Sequence, residues 1–360
     1  MSEEIAVIIS PNWQDYAAKY LEDCLASLAA QDYAGGFKLW LIDNASSQAS
    51  LNLLQTIAGR FWPAEAYTII ANQANDGFAK GNNEALRQIL AQNFTYAVLF
   101  NMDTVIDKNC LSNLVAAAET DQTIGAVQAR LMMWPEQETI NSLGNVTHFL
   151  GFGYCNGYKE SIQNSKLNFK NLSDICYPSG AAVLLRVEAL KQVGLFDEEF
   201  WMYNEDQDLG WRLALAGRRS VLAPSAVVYH KYEFSKSIKQ YYWLDRNRLL
   251  AIFKNYRAAT LILIAPALAV MELGLFLFAV RGGWLKEKLK VYLYWWQPRT
   301  WRYLIRARRQ SQALRRVSDR QIVKLFSGRI LYQEIDNPWL RLANIFFGLY
   351  WRVVKIFILW

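Results

Sequence analysis

Two stretches of the chain place carboxylates where they could do chemistry. In Val98-Leu99-Phe100-Asn101-Met102-Asp103 an apolar run delivers the amide of Asn101 and the carboxylate of Asp103 into a loop. Alternate residues at a strand end point the same way, so the two can face one site. Hard divalent cations such as Mg2+ or Mn2+ take oxygen ligands, commonly one or two carboxylates plus substrate phosphates. The pair could therefore be half of a metal–diphosphate site, or it could simply close the strand with a turn. In Tyr203-Asn204-Glu205-Asp206-Gln207-Asp208 an acidic pair opens a run in which Leu209, Arg212, Leu213 and Ala216 recur at helical spacing and Gly217 ends it. Acidic residues in a first turn suit the helix dipole. They would equally suit a general base below an aromatic wall, Trp201 and Tyr203, that faces an acceptor. His230 ends the run Ala226-Val227-Val228-Tyr229-His230 and is one of only two histidines; it reads as structural or as a metal ligand.

The elements that must position these groups alternate in type. Ile5–Ile9 is a continuous apolar run of the kind a buried parallel strand needs, broken by Ser10-Pro11-Asn12. Helical spacing follows over about 16–31, a strand over 37–42 ending at Asp43-Asn44, a short helix near 51–58 and a strand at 67–70. Asn75-Asp76-Gly77-Phe78-Ala79-Lys80-Gly81-Asn82-Asn83 then leads into a helix reaching Leu90. Its glycines permit close backbone approach, and a helix start at Asn82 would offer free N–H groups to an anion. The segment lacks G-x-G-x-x-G, which argues against a dinucleotide site. A strand at 96–100 and a helix around 111–118 complete the pattern of a doubly wound α/β sheet. In such sheets ligands sit outside the carboxyl ends of the strands, where Pro11, Asn12, Asp43, Asn44, the 75–83 loop, Asn101 and Asp103 all fall. Asp43 could hydrogen-bond a nucleobase or ribose, or cap the turn before Ser46-Ser47. After Leu131 the alternation stops. Residues 144–157 read as a β excursion. Gly180, in the turn feeding the strand 181–186, would let backbone pass close to a ligand or would be a plain bulge.

The net charge of +7 hides an asymmetry. Residues 231–360 carry 24 Lys and Arg against 7 Asp and Glu, whereas residues 1–230 carry 15 against 25. A basic half reads as binding nucleic acid or an anionic membrane face. The four cysteines show neither metal-ligand spacing nor a disulfide framework. The chain runs from Met-Ser-Glu-Glu directly into a strand, so a cytoplasmic setting is expected. Residues 258–280 are 23 long with one acid, Glu272, and one proline, Pro266. That length suffices to span a bilayer, while the acid and the proline argue for something shallower. Residues 281–301 interleave Lys and Arg with Tyr and Trp, as an interfacial anchor requires. Basic residues continue to Lys324, and the tail from Trp339 alternates bulky apolar residues with Arg341, Arg352 and Lys355. No nucleic-acid motif accompanies this charge.

Seven motifs in order resemble the family-2 inverting glycosyltransferases of GT-A fold, particularly the bacterial rhamnosyltransferase-like branch. They are Ile-Ile-Ser-Pro-Asn (8–12), Ile-Asp-Asn-Ala-Ser (42–46), Asn75 to Asn83, Asn-Met-Asp (101–103), Ser-Gly-Ala-Ala (179–182), Tyr-Asn-Glu-Asp-Gln-Asp-Leu (203–209) and Val-Tyr-His (228–230). The resemblance covers about residues 5–250. It implies a GT-A (nucleotide-diphospho-sugar transferase) domain over 1–250 and leaves 251–360 as a helical, basic, membrane-associating region. It further implies donor contacts from Pro11, Asn12, Asp43, Asn44, Asn75, Gly77, Lys80, Gly81, Asn101 and Gly180. A cation, Mg2+ or Mn2+, would be held by Asp103 and His230, with Asn101 in place of the family's first Asp. Asp206 matches the catalytic base, with Glu205 beside it, and Trp201 and Tyr203 would face the acceptor.

The expected activity is transfer of a sugar, with rhamnose the resemblance-led guess, from a dTDP-, UDP- or GDP-sugar. The acceptor would be a glycan or polyprenyl-diphosphate-linked chain at the inner face of the plasma membrane, in cell-surface polysaccharide synthesis, with no nucleic acid involved. The competing readings are a nucleotidyltransferase and a membrane-bound scaffold with a degenerate transferase domain.

Overall fold

The computed structural model describes residues 5–165, 171–231, 238–331 and 338–360. The strands and helices run β1 (Ile5–Asn12), α1 (Glu22–Ala29), β2 (Phe37–Asn44), α2 (Gln48–Phe61), β3 (Tyr67–Asn72), α3 (Gly77–Leu90), β4 (Tyr96–Phe100), β5 (Thr104–Ile106), α4 (Cys110–Glu119), β6 (Ile124–Met133), β7 (Ile140–Ser142), β8 (Asn145–Thr147), β9 (Gly153–Cys155), β10 (Ser173–Asp174), β11 (Ala182–Arg186), α5 (Val187–Val193), α6 (Glu205–Leu215) and β12 (Arg219–His230). Six helices follow: α7 (Ile238–Asn255), α8 (Ala258–Arg281), α9 (Leu285–Trp296), α10 (Pro298–Ala313), α11 (Asp319–Ile322) and α12 (Pro338–Phe357).

The main sheet has the order β10-β12-β6-β11-β4-β1-β2-β3, with β5 and β7 paired to β12 and β6. Strands β4, β1, β2 and β3 are mutually parallel. The run of parallel strands expected from the sequence breaks at β11, which is antiparallel to both β4 and β6. The sheet is therefore mixed. This reversal has a use: the start of β11 lies at the same edge as the end of β4, with Ala182 opposite Phe100. Gly180 and Asn101 are thereby brought to one crevice, and the Asn101 N–H donates to the Ala181 carbonyl at 2.9 Å.

Alternate residues of β1 sort to two cores. Ile5, Val7 and Ile9 pack with α1, α2 and α4, whereas Ala6 and Ile8 pack with α3, α5 and α6. Burial on both faces explains why this strand reads as unbroken apolar sequence. It also runs past the expected stop, reaching Asn12 through a shift of register after Ile9; Pro11 lacks the N–H that regular pairing would use.

The helical region begins with α7, ahead of the boundary expected at 250, and shares a third core with the sheet domain through Phe149, Leu150, Trp211 and Leu215. Helix α8 is continuous through Pro266, 24 residues long, with only 11% of its most apolar window buried. Its one acid explains itself by partners: Glu272 pairs with Arg248 of α7 and with Lys288 of α9 at 2.7 Å, and both cations also hold Asp245. The basic stretch that continues to Lys324 falls on two helices, α10, which ends at Ala313, and α11, which starts at a Ser318 capping box.

Candidate active site

The crevice at the carboxyl edge is built first by side chains that hold its loops. The Asn12 amide donates to Asp43 Oδ1 at 2.7 Å, to Ser46 Oγ at 3.1 Å and to Ser50 Oγ at 3.0 Å, and its oxygen accepts from the Ala17 N–H. Asp43, nearly buried, also accepts from the Ser46 N–H and hydroxyl. Asn44 reaches across to the Gly77 carbonyl at 2.9 Å and accepts from Asn72. Asn75 accepts from the Gly77 N–H at 3.1 Å. Gly81 sits inside α3, where a Cβ would lie 2.7 Å from the Pro11 ring, so its smallness lets α3 pack on β1. Lys80 pairs with Asp76 at 2.9 Å on the surface.

The expected helix start at Asn82 is corrected to Gly77. Asn82 and Asn83 are buried within α3 and donate to Phe78 O and Phe196 O. The N–H groups at the true start are already committed, Gly77 N to Asn75 and Ala79 N to the Trp201 carbonyl at 3.1 Å. Gly77 has φ +71°, and a Cβ there would meet Trp201 O at 2.4 Å. The helix start thus serves as a seat for the loop that carries Trp201.

β12 pairs with β5 so that His230 faces Thr104. His230 Nε2 lies 3.2 Å from Asp103 Oδ1, and Nδ1 lies 3.1 Å from Asn141 Oδ1. Both ring nitrogens thus face oxygens, whereas a neutral imidazole has a single N–H. A cation shared between Nε2 and the carboxylate would resolve that shortage, with Asn141 fixing the tautomer from behind. Nearby, Asn101 Oδ1 is buried with no hydrogen-bond partner. Among the described residues no cluster of three or more His, Cys, Asp or Glu could hold a metal. The groups here that could donate to a hard cation are the Asp103 carboxylate, His230 Nε2 and the unpartnered Asn101 oxygen.

On the other side stands the acidic pair at the start of α6. Asp206 is pushed up to about 6 by burial, partly offset by N–H donors from Gln207, Gly180 and its own backbone. Glu205 is pushed well above the usual carboxylate range, by burial first and then by the charge of Asp206; its Oε2 is buried without a partner. Both carboxyls are thus raised by burial, and the charge of Asp206 biases Glu205 further toward its protonated form, the kind of pairing in which one carboxyl can act as base beside its neighbour. Asp208, two residues on, is held down to about 2: burial would raise it, but Lys254 and Arg212 prevail. It ties α6 to α7 structurally.

Residues 201–204 lead into the pair through an unusual backbone. Trp201, Tyr203 and Asn204 all have positive φ, at 60°, 68° and 63°. Helix α7 holds this loop with residues on one face: Trp243 stacks on Trp201 at 4.6 Å, Arg246 donates to the Glu199 carbonyl, and the Asn247 amide donates to the carbonyls of Phe200, Met202 and Tyr203 at 2.9, 2.9 and 2.7 Å. Asn247 was not singled out in the sequence, because its partners are backbone atoms 44 to 47 positions away and leave no local pattern.

Residues 3–247 match the family described as Glycosyltransferase like family 2. The chain belongs to that family. It is 25% identical over 229 residues, 61% of this chain and 50% of the relative, to an N-acetylglucosaminyltransferase of Mesorhizobium japonicum. It is 56% identical over 52 residues, 14% of this chain and 17% of the relative, to an N-acetylglucosaminyl-diphospho-decaprenol L-rhamnosyltransferase of Mycobacterium tuberculosis. The chain thus spans half of the first relative's length and less than a fifth of the second's. In fold it is similar to a mannosyltransferase from Pyrobaculum calidifontis solved with GDP-Man and Mn2+ (TM-score 0.50, 17% identity, 87% of each chain). It is also similar to S. aureus TarS (TM-score 0.51, 19% identity, 98% of this chain and 55% of that one). The sheet is of GT-A type, as in these structures.

Proposed function

We propose that this glycosyltransferase moves a sugar from a nucleotide-sugar to a glycan or lipid-linked acceptor at a membrane face, with inversion of the anomeric centre. The observation that carries the reading is the buried acidic pair at the start of α6, Glu205 and Asp206, with Asp206 accepting from the Gly180 N–H next to the Ala181 carbonyl that the Asn101 N–H reaches. An acceptor hydroxyl is a poor nucleophile. Asp206, ionised at neutral pH, takes its proton as the oxygen attacks the anomeric carbon opposite the leaving diphosphate, a contribution of roughly 10²–10⁴-fold. Burial and the charge of Asp206 bias Glu205 toward its protonated form, which favours Asp206 as the base of the pair. Trp201 and Tyr203, fixed by α7, form the wall against which the acceptor sugar lies. Asp103, His230 and Asn101 would hold a divalent cation, Mg2+ or Mn2+, whose positive charge stabilises the departing diphosphate.

The donor loops follow the same reading. Asp43 is placed to read the nucleoside, with Asn12 and Ser46 fixing its carboxylate, while Asn44, Asn75, Gly77 and Gly81 shape the backbone around the donor. The relatives' names favour rhamnose or N-acetylglucosamine as the sugar, with dTDP-rhamnose first and UDP- or GDP-sugars as alternatives. The mycobacterial relative is named for a diphospho-decaprenol acceptor, which supports a polyprenyl-diphosphate acceptor here. The exposed apolar helix α8 supports attachment to the inner face of the plasma membrane through residues after about 250.

The test is a donor panel with detergent-purified protein, with and without Mn2+, reading thermal stabilisation and hydrolysis. One nucleotide-sugar that stabilises only with metal is expected, and its turnover should fall at least 10²-fold in Asp206→Asn. Full turnover in that variant would remove Asp206 from the mechanism.

A further inference from the structure

Helix α10 has two different basic faces. Arg308, on the inward side, and Arg315, just beyond the helix end, are consumed by the structure: Arg308 donates to Phe253 O, and Arg315 to Asp319 at 2.7 Å and to the Asn255 carbonyl. Arg299, Arg302, Arg306 and Arg309 all lie exposed, and none has a carboxylate partner among the described residues. At about 100° per residue these four fall within an arc of roughly 80° and extend about 15 Å along the helix. Trp301 and Ile305, half exposed, occupy the adjoining arc. Between Arg299, Arg302, Tyr303 and Arg306 lies a shallow depression of about 330 Å3. Its floor is anchored to the transferase domain, because the Tyr303 hydroxyl donates to Asp197 Oδ2 at 2.6 Å.

The surroundings choose the anion. Trp296 and Leu293, at the corner where α9 meets α10, are 83% and 63% exposed. Elsewhere in the helical region α8, which packs on α9, and α12, which packs on α8, present exposed apolar side chains, among them Ile262, Leu273, Ile345 and Ile356. A nucleic acid would leave those side chains in water. A single diphosphate is shorter than the arginine row. We propose that the outer face of α10 is a phosphate-recognition row for anionic phospholipid headgroups, with Trp296 and Trp301 at the interface and α8 and α12 against the acyl chains. Guanidinium groups pair with phosphate through two parallel N–H donors, which a lysine cannot do. The proposal rests on the membrane-attachment reading above and adds to it a preference for charge.

The test is co-sedimentation of the full chain with phosphatidylcholine vesicles and with phosphatidylcholine–phosphatidylglycerol vesicles. The comparison is with the variant Arg299→Gln/Arg302→Gln/Arg306→Gln/Arg309→Gln. Wild type should prefer anionic vesicles, and the variant should lose that preference. Each basic residue near such a surface is worth about 1 kcal/mol, so the loss should reach on the order of 10³-fold at most in low salt and shrink as salt rises. Turnover of soluble donor should be unchanged, since none of the four is in the transfer machinery. Equal wild-type binding to both vesicles, or undiminished anionic binding by the variant, overturns the arginine row but leaves membrane attachment standing. Binding to neither vesicle overturns attachment itself and the row with it. Competition by inorganic diphosphate alone, at concentrations where vesicles do not bind, would reassign the row to a soluble phosphate.

Discussion

Replacing Asn247 tests whether the loop that leads into the acidic pair is held by α7. Its amide is fully buried, and its oxygen accepts from Arg246 Nε at 2.8 Å, which fixes the N–H groups toward the loop. Two N–H groups serve three carbonyls there. The loop needs such a restraint: Trp201 and Tyr203 sit at positive φ, a conformation that costs a residue with a side chain roughly 1–2 kcal/mol. Asn204 tolerates it better. The stored strain is therefore about 2–4 kcal/mol, comparable to the two buried hydrogen bonds whose loss would each cost about 1–3 kcal/mol. In Asn247→Ala the balance tips and the loop relaxes. Melting should report a stability loss of about 2–4 kcal/mol. Acceptor transfer should slow on the order of 10²-fold, the penalty of a displacement near 1 Å at the reacting groups, while KM for the donor stays within a few-fold. Asn247→Asp should be worse than Ala, because a carboxylate would face three carbonyl oxygens. A kcat in Asn247→Ala within threefold of wild type would refute the reasoning, as would Asp outperforming Ala.

Four further outcomes follow from the geometry. Asp206 holds its proton more tightly folded than unfolded, so its contribution to stability is present below about pH 4 and is lost as pH rises through about 6. Activity should rise over the same window, and Asp206→Asn should melt higher than wild type at pH 8 while losing turnover. Glu205→Gln should keep the rising limb near pH 6 that Asp206 sets, since burial biases Glu205 toward its neutral form; a limb that moves by more than a unit would make Glu205 the titrating group. Gly77→Ala combines positive φ with a clash against Trp201 O and should lower stability by at least about 2 kcal/mol in a denaturant titration. Asp103→Asn should abolish Mn2+-dependent stabilisation by a nucleoside diphosphate in a thermal-shift assay without unfolding the protein; retained stabilisation would move the cation elsewhere.

Much of the fold was legible because it is local. Unbroken apolar runs such as Ile5–Ile9 and Tyr96–Phe100 announce strands covered on both faces, and the polar residues that end them mark one edge of the sheet. The antiparallel turn of β11 was not legible, since Ala182–Arg186 is equally apolar in either direction. The start of α3 was misread for a physical reason. Asn82 and Asn83 look like loop residues, yet they are buried and spend their amides on Phe78 O and Phe196 O. Glu272 looked like a reason to doubt a long apolar helix. Its partners, Arg248 and Lys288, lie 24 and 16 positions away on other helices, and only packing reveals that the charge is neutralised. The candidate site divides the same way: Asp103, Asp206 and His230 stand out by type and position, whereas the residues that orient them, Asn141 and Asn247, act over 89 and about 45 positions.

Helix α7 joins the two halves of the molecule through its two faces. Trp243, Arg246 and Asn247 grip the loop that carries Trp201 and Tyr203 and leads to Asp206. Asp245 and Arg248, on the other face, are buried in the ion network with Glu272 of α8 and Lys288 of α9. Breaking one member of such a network leaves a buried charge uncompensated, at a cost of about 3–5 kcal/mol, so α7 cannot shift relative to α8 and α9 without a large penalty. If the membrane attachment and acidic pair proposed above hold, a lipid-facing surface and a catalytic loop attached to opposite sides of one rigid helix keep a constant distance. That arrangement suits an acceptor whose reacting hydroxyl stands at a fixed height above the bilayer. It would be of no advantage to an enzyme that meets both substrates in solution.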